Sequence, residues 1–127
     1  MIFLVLPQVE VLDLAGPLQA LSEANATRKR YAIRVCSPRP RVQSHQGIVL
    51  ADLDPLPAVA GNALVVVPGM PYAATQRIDA AVTRWLVKAA RGGAHLASVC
   101  TGAFVLGDAG LLDGRRCTTH WSRTAEL

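Results

Sequence analysis

The stretch His-Leu-Ala-Ser-Val-Cys-Thr-Gly-Ala-Phe-Val-Leu-Gly-Asp-Ala-Gly, residues 95–110, decides the fold. His95 to Val99 reads as a short strand with Cys100 at its carboxyl end. The residues from Thr101 onward carry the small side chains of a short helix packed tightly on a sheet. A strand running into a helix through so short a turn is the unit from which parallel sheets are built.

Working outward, the same unit recurs. Met1 to Leu6 is a continuous apolar run closed by Pro7, as expected of a strand buried on both faces. Leu18, Leu21 and Ala24 then fall at helical spacing, which predicts a helix from Pro17, in its first turn, to about Asn25. Tyr31 to Ser37 alternates as a second strand. Val42–Ser44 and Ile48–Leu50 suit a hairpin or short edge strands, and residues 52–61 are a Pro-rich connection. Ala63 to Val67 forms another buried strand, ended by Pro68-Gly69. An amphipathic helix from about Thr75 to Arg91 follows, with Ile78, Val82, Trp85, Leu86 and Ala89 on one stripe and Gly92-Gly93 after it. Beyond residue 110, Leu111-Leu112-Asp113-Gly114 turns the chain, Arg116 to Thr119 reads as a short strand and Trp121 to Leu127 has helical character. The class is α/β, with a parallel, doubly wound sheet.

Composition bounds the rest. A chain of 127 residues supports one domain with one core. The formal charge of +4 is spread along the chain. Its only tight cluster, Arg28-Lys29-Arg30, has no aromatic or glycine-rich element beside it and reads as a solvated turn rather than a nucleic-acid patch. Cys36, Cys100 and Cys117 form no CxxC pair, so no disulfide framework, metal site or cofactor is expected and the compartment is read as reducing. Pro7, Glu10 and Asp13 interrupt the apolar N-terminus far short of a membrane span, and no basic leader precedes it. The expectation is a cytoplasmic protein with no membrane partner.

In open parallel sheets, ligands bind beyond the carboxyl ends of the strands. Three such ends carry chemistry here: the loop with Asp13, the Pro68-Gly69-Met70 turn, and Cys100. A nucleophile at a sharp strand-to-helix turn has the form of a nucleophile elbow, and Gly102 permits the turn. The helix dipole starting at Thr101 is expected to lower the Cys100 pKa. Amides near Gly69-Met70 and Thr101 could hold an oxyanion or a carboxylate. The plain alternatives stand beside these: an inert buried thiol at a tight junction, a helix-capping Asp13, and a His120 engaged only in structural hydrogen bonds. Cys36, Cys117, His45 and His95 have no evident activating partner.

LDLAGPLQAL, VVVPGM and LASVCTGAFVLGDAGLLDGRRCTTHW together resemble the ThiJ/PfpI superfamily, over nearly the whole chain. The resemblance implies a three-layer sandwich of the class I glutamine amidotransferase-like, or flavodoxin-like, kind with a mostly parallel sheet. It implies that Cys100 is the elbow cysteine, Asp13 the acid reaching toward it, and His120 a third residue near the site, which a non-catalytic member can keep as a vestige. Ser98 stands where amidotransferases have Gly, and Thr101 where PfpI-type peptidases have His, which weighs against both activities.

Two groups sharing the pattern remain. One is the N-terminal, ligand-sensing domain of AraC-type transcriptional regulators, favoured by the TTHW continuation, with Gly69, Met70, Thr101 and Gly102 around a small-molecule pocket. DNA contact would then belong to a helix-turn-helix module that this chain lacks. The other is the isocyanide hydratases, with Cys100 as nucleophile and Asp13 as proton carrier. Family domains add one further strand and helix, so the chain is expected to be a truncated domain that self-associates through an uncovered edge or face.

Overall fold

The first strand, β1 (Ile2–Leu4), lies in the middle of the molecule because every one of its side chains is apolar and both faces of the sheet are covered. The computed structural model describes residues 1–73 and 78–127. After β1 come α1 (Val11–Thr27), β2 (Arg34–Cys36), β3 (Val42–Gln43), β4 (Val49–Leu50), β5 (Leu64–Val67), α2 (Ala80–Arg91), β6 (His95–Ser98) and α3 (Gly102–Asp108). A 3₁₀ segment follows at Trp121–Glu126. The sheet runs β2-β1-β5-β6 and all its pairings are parallel. β3 and β4 form a separate antiparallel hairpin.

Alternation along β1 and β5 divides the core. Ile2, Leu4, Val65 and Val67 face Val82 and Leu86 of α2 and Val105 and Leu106 of α3. Phe3 and Val66 face the opposite way, with Val5 and Val9, against Leu14 of α1. Leu18 and Leu21 extend that contact. Helices on both faces of a parallel sheet give the expected three layers. Because β2 follows on one side of β1 and β5 on the other, the chain changes direction between β1 and β5, and a crevice opens there at the carboxyl ends. No helix among the described residues is long and apolar enough to cross a membrane.

Three boundaries differ from the sequence reading. Helix α1 starts at Val11, not near Pro17, because the backbone at Glu10 is already docked. The Glu10 N–H donates to the Gly69 carbonyl at 2.8 Å and the Glu10 carbonyl accepts from Leu14 at 3.2 Å. Gly16 and Pro17 therefore lie inside the helix, and Pro17 has no N–H to return to the Asp13 carbonyl. Helix α2 starts at Ala80, where the Asp79 carboxylate caps it by accepting from the Ala81 N–H at 2.7 Å. The predicted start at Thr75 lies outside the described residues. Finally, Arg116–Thr119 joins no ladder among the described residues: Arg116 to Thr118 are exposed, with no apolar face to bury against the sheet.

Candidate functional site

Cys100 follows the last residues of β6 with φ +54°, a left-handed conformation that a side-chain-bearing residue holds only when its surroundings demand it. Two glycines create those surroundings. A Cβ on Gly69 would press into Asp13 Oδ2, sit 3.0 Å from Thr101 Oγ1 and 3.1 Å from Cys100 Cβ. A Cβ on Gly102 would run into the Val67 carbonyl oxygen and lie 2.9 Å from that of Pro68. Bare backbone at both positions lets the β5 and β6 ends close on each other. Thr101 fastens them: its buried hydroxyl accepts from the Met70 N–H at 3.0 Å and donates to the Met70 carbonyl at 2.5 Å.

Asp13 lies in the first turn of α1 rather than in a loop, a position that favours a carboxylate beside the exposed N–H groups. It is not the cap; that position belongs to Glu10, whose side chain makes no capping bond. From this turn the Asp13 carboxylate reaches Cys100, and its buried Oδ2 has no hydrogen-bond partner among the described residues. His120 comes from the far end of the chain, its Nδ1 2.8 Å from Ser122 Oγ and accepting from the Ser122 N–H at 3.3 Å. Beside it, the Thr119 hydroxyl donates to the Cys100 carbonyl at 2.9 Å.

Asp13, Cys100 and His120 share one open cleft of about 520 Å³, lined also by Glu10, Tyr72 and Arg123. Met70 and Thr101 also reach it, whereas Gly69 and Gly102 act from beneath as space for the elbow. Because the Met70 N–H is committed to Thr101, it is not a spare donor toward a ligand. The Thr101 N–H faces the Cys100 sulfur.

The thiol itself departs from expectation. Burial pushes the Cys100 pKa up; the Thr101 N–H pulls it down, and the negative charge of Asp13 pushes it up again. The balance is a raised pKa, not a lowered one. The pull of the Thr101 N–H at the start of α3 is outweighed by desolvation and by the neighbouring carboxylate. Cys36 is fully buried in β2 and pushed up to about 12 by burial, with Asp54 adding and Arg34 opposing. Cys117, His45 and His95 are exposed, and none of them lines the Cys100 cleft.

Sequence reasoning missed the outer wall. Tyr72 stacks on Phe104 with ring centroids 4.6 Å apart and donates from its hydroxyl to Asp108 at 2.7 Å. Arg123 lies 5.2 Å from the centroid of the Phe104 ring, donates to the Tyr72 carbonyl at 3.0 Å and forks onto Glu126 at 2.5 and 2.7 Å. Its one signal was its place three residues after His120.

Comparison with known proteins agrees with this architecture. A profile of the DJ-1/PfpI family matches residues 1–127. An uncharacterized protein in the cpoL 5' region of Streptomyces lividans is 42% identical, over 99% of this chain and 90% of its own. The HTH-type transcriptional regulator CdhR of Pseudomonas aeruginosa is 34% identical over 94% of this chain, but only 36% of its own. An isonitrile hydratase of Pseudomonas putida is 33% identical over 94% of this chain and 51% of its own. The chain thus spans about a third and a half of these last two. Among solved structures, an AraC family transcriptional regulator from Pseudomonas putida superposes with TM-score 0.79 at 24% identity, over 98% of this chain and 68% of its own, a likeness of fold.

Proposed function

The chain belongs to the DJ-1/PfpI family, and we propose that within it this domain senses a small molecule for an AraC-type transcriptional regulator. The ligand enters the cleft over Cys100, and DNA contact is made by a part of the regulator other than these residues. The observation that carries this reading is the form of the site: Cys100 lines an open cleft of about 520 Å³ walled by side chains from α1, the β5 exit and the last segment, with room for a small molecule. Burial and Asp13 push the thiol pKa up, which favours holding a ligand over attack as a thiolate. Similarity to a regulator over about a third of that regulator's length supports it, since one module of a longer chain is being matched. The cytoplasmic setting and self-association expected from the sequence belong to the same proposal.

A second reading, an isonitrile hydratase, is favoured by the adjacency of Asp13 to Cys100 and by similarity to such an enzyme. There Asp13 takes the thiol proton as the sulfur adds to the isocyanide carbon and hands it to that carbon, and water then displaces the sulfur, restoring the thiol and giving the N-substituted formamide. Incubation with a simple isocyanide separates the two. The sensor reading expects no formamide, together with protection of Cys100 from iodoacetamide by a member of a metabolite panel. Formamide production that is lost in Cys100→Ala overturns it.

A further inference from the structure

We propose that Thr119 is a positioning residue for Cys100: its hydroxyl holds the Cys100–Thr101 peptide so that the N–H at the other end faces the sulfur. The argument is geometric. A trans peptide is a rigid plane whose carbonyl and N–H point in opposite directions, so fixing one end aims the other. At the carbonyl end, among the described residues, Cys100 oxygen receives the Thr119 hydroxyl at 2.9 Å and a long contact from the Ala103 N–H at 3.5 Å. At the other end, the Thr101 N–H faces the Cys100 sulfur. In a nucleophile elbow this is the N–H that also meets a developing oxyanion.

The Gly102 N–H closes a turn across this peptide onto the Val99 carbonyl at 3.0 Å, but such turns occur with the central peptide in either orientation, so this bond alone does not aim it. Gly69 and Gly102 relieve crowding, and Thr101 ties its side chain to Met70, but none of these grips the Cys100 carbonyl. Cys100 is left-handed at φ +54°, a state that its neighbours must impose. Thr119 supplies that grip from the chain's last segment, which Arg123 anchors to the Tyr72 carbonyl. The inference holds whether the site senses a ligand or transforms one, because its test uses the thiol alone.

Iodoacetamide alkylation of Cys100, followed by peptide mass spectrometry from pH 6 to 10, reads the effect. The charged and titratable groups around the sulfur are Glu10 and Asp13 at the start of α1, Tyr72 after β5, and His120 and Arg123 from the last segment. All are retained in the variants. In Thr119→Val the N–H is no longer aimed, the thiolate loses its donor and the profile moves to higher pH. A tenfold fall in thiolate fraction, partly offset by the greater nucleophilicity of a more basic sulfur, leaves alkylation near neutral pH about threefold slower. Thr119→Ser restores the parent profile. Thr119→Ala, which adds no branch, behaves as the valine variant and serves if that variant does not fold. A lowered melting temperature with an unmoved or faster alkylation profile marks a merely structural hydroxyl and overturns the proposal.

Discussion

Replacing Gly102 by alanine tests the account of the elbow most directly, because helix propensity and packing pull in opposite directions. Gly102 is the first residue of α3, and alanine is favoured over glycine by about 1 kcal/mol in a helix interior. Propensity alone therefore predicts a gain. Sterically, the new methyl group meets the Val67 carbonyl oxygen and lies 2.9 Å from that of Pro68, both backbone atoms of the central sheet and its exit. Neither can rotate away as a side-chain tip would, so β5 and α3 must separate. Overpacking of this kind costs about 1–3 kcal/mol and outweighs a terminal propensity gain. In a chain of this size that corresponds to a melting temperature lower by about 3–10 °C. Gly107 in the same helix is the control: its added methyl would meet the side-chain tips of Leu127 at 3.8 Å and Leu112 at 3.9 Å, ordinary van der Waals contacts. Gly107→Ala is expected to be neutral or to stabilise by up to about 1 kcal/mol. Urea unfolding followed by circular dichroism measures both. A Gly102→Ala protein as stable as the parent refutes the claim that close approach of backbone builds the site.

Other outcomes follow from the same structure. Asp13→Asn removes a negative charge that opposes the thiolate, so iodoacetamide should alkylate Cys100 faster at neutral pH; a slower reaction contradicts the assigned sign. Cys36 keeps its proton in the fold up to about 12 but loses it near 9.0 once exposed by unfolding, so its contribution to stability is full below pH 9 and declines above it. Between pH 9 and 11 the parent should lose about 1.4 kcal/mol per pH unit more than Cys36→Ala does, measured by urea titration at each pH. Equal slopes would remove burial as the cause. Arg123→Ala cuts the link to the Tyr72 carbonyl and should raise hydrogen exchange across residues 119–126 while leaving β1 and β5 protected. Unchanged exchange there means that Arg123 does not anchor the segment.

Much of this was legible because the core elements are apolar on both faces. ALVVV and MIFLVL leave no polar side for water, and a buried parallel strand is the economical reading of such runs. The elbow was legible because one cysteine stood between a strand and two small residues. Helix α1 was misjudged because Gly16-Pro17 is a strong local start signal, whereas the true start is fixed by a long-range bond from Glu10 to Gly69. The sign of the Cys100 shift was also hidden. A helix dipole can be read from local order, but desolvation and the approach of Asp13 depend on where α1 docks. The Tyr72–Phe104–Arg123 wall joins residues 51 positions apart and leaves no periodic trace.

The constraints on Cys100 fall into two kinds with different consequences. Gly69, Gly102 and the Thr101 bonds to Met70 belong to β5, β6 and their exits, whose strands are fully paired to each other over four residues. Moving them means disturbing the central sheet, at a cost comparable with the stability of the whole domain. The Thr119 bond belongs instead to an outer segment held by Arg123 and by short local contacts, the kind of region that opens without global unfolding. A change at the sulfur, whether a bound ligand or a covalent adduct, can therefore be relieved more cheaply by moving residues 119–126 than by moving the sheet. The same asymmetry sends any structural response outward along the chain from Thr119, and it lets displacement of the last segment alter the cysteine in return.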